Sequence, residues 1–125
     1  MMKPTDSELS ILQILWQKNG ATVREVNDIL NNNSENEIGY TTTLKLMQIM
    51  TEKQLVKRDT AQKIHIYFAN VKEKDTQSML LNTFVDNTFR GSAMKLVMHA
   101  LGNNDPSKEE LEEIKLLIEK LENNQ

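Results

Sequence analysis

The chain has 125 residues and a net charge of −3, enough for one domain or for a small domain with an attached oligomerisation segment. It contains no cysteine, which excludes disulfides, thiolate metal sites and cysteine nucleophiles. The N-terminus Met1–Thr5 lacks a signal-peptide core, and apolar clusters such as Ile11–Trp16 fall far short of a membrane span. The expectation is a cytoplasmic protein without membrane contact. The charge is unevenly spread. Eight Lys/Arg balance eight Asp/Glu over residues 1–70, and seven stand against ten over residues 71–125. Local basic patches are therefore expected on the first half only.

Thr5-Asp6-Ser7-Glu8 is a capping box that opens a helix running to about Lys18. Leu9, Leu12, Leu15 and Trp16 form its apolar stripe, and Asn19-Gly20 stops it. Thr22-Val23-Arg24-Glu25 is a second capping box, opening a helix to about Asn31 that buries Val23, Val26, Ile29 and Leu30. A polar loop, Asn32–Ile38, leads to a third helix, Tyr40–Lys53, for which Thr41 is the expected N-cap. Leu46, Met47, Ile49 and Met50 give that helix an apolar stripe, while Thr42, Lys45, Gln48 and Glu52 line the opposite face.

The period then changes from helix to strand. Leu55–Asp59 is a strand, Thr60–Lys63 a turn, and Ile64–Ala69 a second strand. Three helices followed by a hairpin is the order of a winged helix-turn-helix, with an enlarged connection between the second and third helices. From Val71 the pattern is helical again. Met79, Leu80, Leu81, Phe84, Val85 and Phe89 precede a stop near Gly91. Ser92–Leu101 carries Leu96, Val97 and Leu101, and Ser107-Lys108-Glu109-Glu110 caps a last helix with Leu111, Ile114, Leu117, Ile118 and Leu121. Some 55 residues of short helix cannot bury that much apolar surface alone. The expectation is a homodimer held by Leu80, Leu81, Phe84, Val85, Phe89, Leu96, Val97, Leu101, Leu111, Ile114, Ile118 and Leu121. The expected fold class is mostly α with a small β-hairpin. A winged helix-turn-helix DNA-binding domain would occupy residues 1–70 and a C-terminal helical dimerisation domain residues 71–125.

No catalytic, cofactor or metal motif is present. His65 and His99 lack an HExxH context or a carboxylate at ligand spacing, and no glycine-rich phosphate loop or GxSxG occurs. The reading is no enzyme, no cofactor and no metal. The cations of the first half are few but well placed for DNA. Arg24 opens the second helix, Lys45 and Lys53 flank the exposed side of the third, and Lys57, Arg58 and Lys63 belong to the hairpin. The candidate DNA-binding set is Arg24, Tyr40, Thr41, Thr42, Thr43, Lys45, Lys53, Arg58 and Lys63. Thr41, Thr42 and Lys45 would approach bases, and the other cations would meet phosphates. The alternative, kept open by the neutral first half, is a winged-helix protein-interaction module without DNA affinity.

The segments Thr22-Val23-Arg24-Glu25-Val26, Tyr40-Thr41-Thr42, Lys53–Arg58 and Tyr67, with the later Phe84-Val85-Asp86, Gly91-Ser92-Ala93 and Leu96-Val97, resemble the penicillinase-repressor family of BlaI/MecI/CopY-type transcriptional regulators. The resemblance runs from about Asp6 to Leu121. It implies a sequence-specific transcriptional repressor acting as a homodimer on a palindromic double-stranded DNA operator. Four departures stand out. Many members have Lys-Gly where this chain has Lys53-Gln54, and Gly-Arg where its wing turn reads Gln62-Lys63. Drug-resistance members are cut by a sensor protease between Asn and Phe, and the matching pair here is His99-Ala100. Copper-responsive members carry a cysteine cluster, absent from this chain. Neither mode of induction is expected. A sensor protease cutting elsewhere and an unidentified effector are both left open as partners.

Overall fold

The computed structural model describes residues 2–125; Met1, part of the N-terminal segment expected to lack a signal-peptide core, lies outside the described residues. In chain order the elements are α1 (Asp6–Lys18), α2 (Val23–Asn32), α3 (Tyr40–Glu52), β1 (Val56–Asp59), β2 (Ile66–Ala69), α4 (Glu73–Phe89), α5 (Ala93–Asn103) and α6 (Lys108–Asn123). This is a winged helix-turn-helix followed by further helices. Two compact units divide within α4, at Leu80/Leu81, not at the start of that helix where residue 70 had been the expected border. The reason is local. The Trp16 indole N–H donates to the Val71 carbonyl at 3.0 Å, and Thr76 is fully buried. The beginning of α4 is thereby part of the first unit.

Each of the three expected capping boxes forms. The hydroxyls of Thr5, Thr22 and Ser107 accept from the amides of Glu8, Glu25 and Glu110, whose carboxylates accept in return from the amides of the capping residues. Asn19 closes α1 in the left-handed region, at φ 54°. Gly20 follows at φ 108°, where a Cβ would lie 2.5 Å from the Phe68 ring. That close approach lets Ala21 form a bridge to Tyr67, with N–H···O distances of 3.0 and 2.8 Å in the two directions. The hairpin thus gains a third, single-residue edge.

The core of the first unit joins Ile11, Leu12, Ile14 and Leu15 of α1 to Val23 and Val26 of α2. Met47 and Met50 of α3, Leu55, Val56 and Tyr67 complete it. Leu9 and Trp16, expected in the α1 stripe, sit at its half-buried margin. The antiparallel ladder pairs Val56 with Ala69 and ends at Asp59 with Ile66. β2 therefore starts two residues later than expected, and Ile64 and His65 belong to the wing loop. The polar run Thr60–Lys63 lacks the glycine that a two-residue hairpin turn requires. The chain instead makes a wider loop, in which the Asp59 carboxylate accepts from the Ala61 amide at 3.0 Å.

In the second unit the packing is sparse. Val85 is the one buried hydrophobic residue among those described there. The Phe84 and Phe89 rings meet edge to face at 5.8 Å, and Phe89 also lies 5.3 Å from the His99 ring. Leu81, Phe84, Met94, Val97, Met98, Leu111, Leu116, Leu117, Ile118 and Leu121 are exposed. No helix among the described residues is long and apolar enough to cross a membrane.

Candidate nucleic-acid interface

The start of α3 differs from expectation in a useful way. Gly39, not Thr41, is the N-cap, and no side chain caps the helix. Thr41 and Thr42 follow within the first turn and are exposed, as are Lys45 and Gln48. No side-chain cap hydrogen-bonds the first-turn amides, which carry the positive end of the helix dipole. Thr43 corrects the candidate set. It is fully buried, and its hydroxyl accepts from Asn27 Nδ2 at 2.9 Å. A side chain so placed cannot touch a base.

Lys53 is the second correction. Its ammonium donates to both carboxylate oxygens of Glu8, at 3.0 and 2.9 Å, and Glu8 is only 2% exposed. Burial alone would push the Glu8 carboxyl up. The Lys53 ammonium and the Thr5 amide outweigh it and hold the group below its ordinary value. Lys53 thus neutralises a charge buried on the inner face of α1, a structural task.

Three candidates come together. Arg24 of α2 lays its guanidinium over the Tyr40 ring of α3, 4.5 Å from the centroid, a cation–π distance that restrains an otherwise mobile side chain. Both border an open cleft of about 560 Å³, lined also by Thr22, Val23, Leu44, Ile64, His65, Tyr67 and Lys63 from the wing. Residues from three distant parts of the chain thereby place Arg24 and Lys63 on one concave surface beside the start of α3. Arg58 and Lys57 are exposed on β1, outside the lining of that cleft. Among the described residues no group of three His, Asp or Glu side chains is placed to hold a metal ion.

Sequence reasoning missed the residues that seat α3. Asn27 is 4% exposed and donates to the Ile38 carbonyl at 2.9 Å as well as to Thr43. Asn31 accepts from the Ile38 amide at 2.6 Å and donates to the Ile38 carbonyl at 3.1 Å. One signal was available: Asn27 falls on the same helical face as Val23, Val26 and Leu30, where a polar residue needs a buried partner.

The expected dimerisation residues lie on α4, α5 and α6. Leu80 closes the first unit and the rest belong to the second. Val85 is buried within the chain; Leu80, Phe89, Leu96, Leu101 and Ile114 are half-buried; Leu81, Phe84, Val97, Leu111, Ile118 and Leu121 are exposed.

Comparison with known proteins agrees with this architecture. The chain is 23% identical over 112 residues to a penicillinase repressor of Staphylococcus aureus, covering 90% of this chain and 87% of the relative. It is 22% identical over 116 residues to the methicillin resistance regulatory protein MecI of Mammaliicoccus sciuri, with 93% of each chain covered. The solved structure of RosR from H. salinarum superposes with a TM-score of 0.52 at 11% identity, covering 98% of this chain and 96% of the other, a likeness of fold. The profile of the family described as Penicillinase repressor matches residues 4–120, nearly the whole chain, and the protein belongs to that family.

Proposed function

We propose that the protein is a sequence-specific transcriptional repressor that binds a palindromic double-stranded DNA operator as a homodimer. The observation that carries the reading is the start of α3: Thr41, Thr42 and Lys45 exposed on an uncapped helix N-terminus, beside the cleft that gathers Arg24 and Lys63. Short hydroxyls and a lysine at the leading end of a recognition helix suit base edges in the major groove. Arg24, stacked on Tyr40, and the wing cations Arg58 and Lys63 suit the flanking phosphates. The first half has no net charge, so binding rests on this local patch and not on bulk attraction. The exposed apolar residues of α4 to α6 support self-association, which would hold two α3 helices against two half-sites.

Induction takes neither of the two routes known in the family. Ala100 offers a methyl group where the protease of the drug-resistance members meets an aromatic ring. The pair His99-Ala100 also lies inside α5, where Asn104 Nδ2 donates to the Ala100 carbonyl at 2.9 Å, so cleavage there needs local unfolding. Immunoblots of native cells under β-lactam stress should show no fragment ending at His99. Copper added to purified protein should not release operator DNA.

The test of the main reading is a titration of the DNA upstream of the protein's own gene at several salt concentrations. Saturable, sequence-dependent binding that weakens with salt is expected. In the same assay Lys45→Ala should cost about 1–3 kcal/mol on the operator and relax specificity. Equal loss on operator and random DNA would reduce Lys45 to a phosphate contact. Absence of binding by the wild type would leave the protein-interaction module as the reading.

A further inference from the structure

We infer that Asn27 and Asn31 are positioning residues for DNA reading, a clamp on the Ile38 peptide that sets where the first turn of α3 stands relative to α2. The inference rests on the reading of α3 as the recognition helix. The connection between α2 and α3, residues 33–39, is longer than the tight turn of an ordinary helix-turn-helix pair. A long polar loop would leave the two helices loosely coupled and α3 free to shift along its axis. Here the loop is fastened just before the helix begins. Both hydrogen-bonding groups of Ile38 are engaged, its amide by Asn31 Oδ1 at 2.6 Å and its carbonyl by the side-chain amides of Asn27 and Asn31 at 2.9 and 3.1 Å. Asn31 Nδ2 also reaches Asn27 Oδ1, at 3.4 Å.

The Asn27 side chain continues the connection into α3 by donating to Thr43. One asparagine thus bonds the residue before the N-cap and a buried residue in the first turn of the helix. Tyr40, Thr41 and Thr42 lie between these two anchors along the chain. Their amides and side chains are the groups proposed to meet DNA, so the precision of the interface depends on a network that never touches it. Buried amides are effective in this role because their hydrogen-bond geometry is directional and alternative arrangements leave polar groups unpaired. Among the described residues no buried side-chain polar atom is left without a partner, so the buried polar atoms of the clamp are all paired. Apolar packing between α2 and α3, whose Val26, Met47 and Met50 share one core, fixes the distance between helices but tolerates sliding.

The experiment uses the full-length protein and the variants Asn31→Ala, Thr43→Val and Thr43→Ser. Thr43→Val keeps the shape and removes the acceptor for Asn27, whereas Thr43→Ser keeps the acceptor. Amide hydrogen exchange is followed by NMR in the free protein, and affinity is measured for operator and for random duplex. In Asn31→Ala the Ile38 amide should exchange about tenfold faster or more. Operator affinity should fall about tenfold in Asn31→Ala and in Thr43→Val, random-duplex affinity by less than about threefold, and Thr43→Ser should sit near wild type. An Ile38 amide exchanging at the wild-type rate in Asn31→Ala overturns the clamp. So does an equal loss on both DNAs, the mark of a merely destabilised fold. Exchange needs no DNA. Faster exchange at Ile38 in a protein whose wild type binds no operator supports the clamp and sinks the recognition-helix reading instead.

Discussion

The two compact units handle apolar residues in opposite ways. Residues up to Leu80 enclose a continuous core, in which Ile11, Leu12, Val26, Met47 and Met50 are entirely withdrawn from solvent. Residues from Leu81 onward bury Val85 and leave Met94, Leu116, Leu117, Ile118 and Leu121 more than half exposed. Both stretches show helical periodicity with leucine and isoleucine at the repeating positions. The difference lies in connection geometry. In the first unit α1, α2 and α3 are folded back on each other and closed by the hairpin, so their stripes face inward. In the second, the stripes of α5 and α6 find little of their own chain to cover. Amphipathic periodicity reports that a face will be buried, not what buries it.

Substitutions should therefore act on folding in one unit and on association in the other. The largest effect is expected from Leu12→Ala, which opens a cavity in a closed core and should lower the folding stability by about 2–5 kcal/mol in chemical denaturation. Ile118→Glu, on the exposed face, should leave the thermal melt of the monomer nearly unchanged. It should shift the protein to monomer by sedimentation velocity, since each large aliphatic side chain buried at an interface contributes about 1.5–3 kcal/mol. An unchanged sedimentation coefficient in Ile118→Glu would break the comparison, because α6 would then need no partner.

A buried charge sharpens the account of the first unit. Removing the Lys53 ammonium as Lys53→Met leaves the Glu8 carboxylate buried without its cation, at a cost of about 3 kcal/mol in urea unfolding. The pH dependence follows from the direction of the Glu8 shift. Its carboxyl is held below the ordinary value of 4.5 in the folded protein. The stability it contributes is therefore fully present above about pH 4.5 and is lost as pH falls through the lower folded value. The wild type should lose part of its stability in that acid range, and Glu8→Gln should show a flatter acid limb. A wild-type profile as flat as that of Glu8→Gln would show that the pair is electrostatically idle.

The smallest effect concerns Gln54, which takes the left-handed conformation at φ 64° as the chain leaves α3. Its carbonyl accepts from Asn70 Nδ2 at 3.0 Å, which pins the turn. A side chain there costs about 1 kcal/mol relative to glycine. Gln54→Gly should raise the midpoint of denaturation accordingly. A lower midpoint would mean that the Gln54 side chain contributes packing not evident from its exposure.

Most of the first unit was legible because its signals are local. Capping boxes at Thr5 and Thr22 and the stop at Asn19-Gly20 depend on neighbours three or four residues away. What could not be read were features that need two distant segments at once. The Ala21–Tyr67 bridge, the Glu8–Lys53 pair and the bonds from Trp16 to Val71 and from Asn27 to Thr43 all fall in that class. Two members of the candidate site illustrate this. Thr43 and Lys53 have the residue types of DNA contacts and lie on the right helix, yet tertiary partners claim both. Hydroxyls favour the N-cap position and point to Thr41, but the chain enters α3 through Gly39, two residues earlier. Arg24 and Lys63 could be named as cations from sequence alone; that they share a cleft with Tyr40 could not.

The central claim is that two α3 helices in a symmetric pair of chains read two half-sites. It is tested most directly by hydroxyl-radical footprinting of the DNA upstream of the protein's own gene, at protein concentrations spanning the binding transition. The account predicts two equivalent protected segments related by a dyad, centred about one helical turn or a small multiple of it apart, appearing together, and disappearing together in Ile118→Glu. A single protected segment that persists in Ile118→Glu would contradict it.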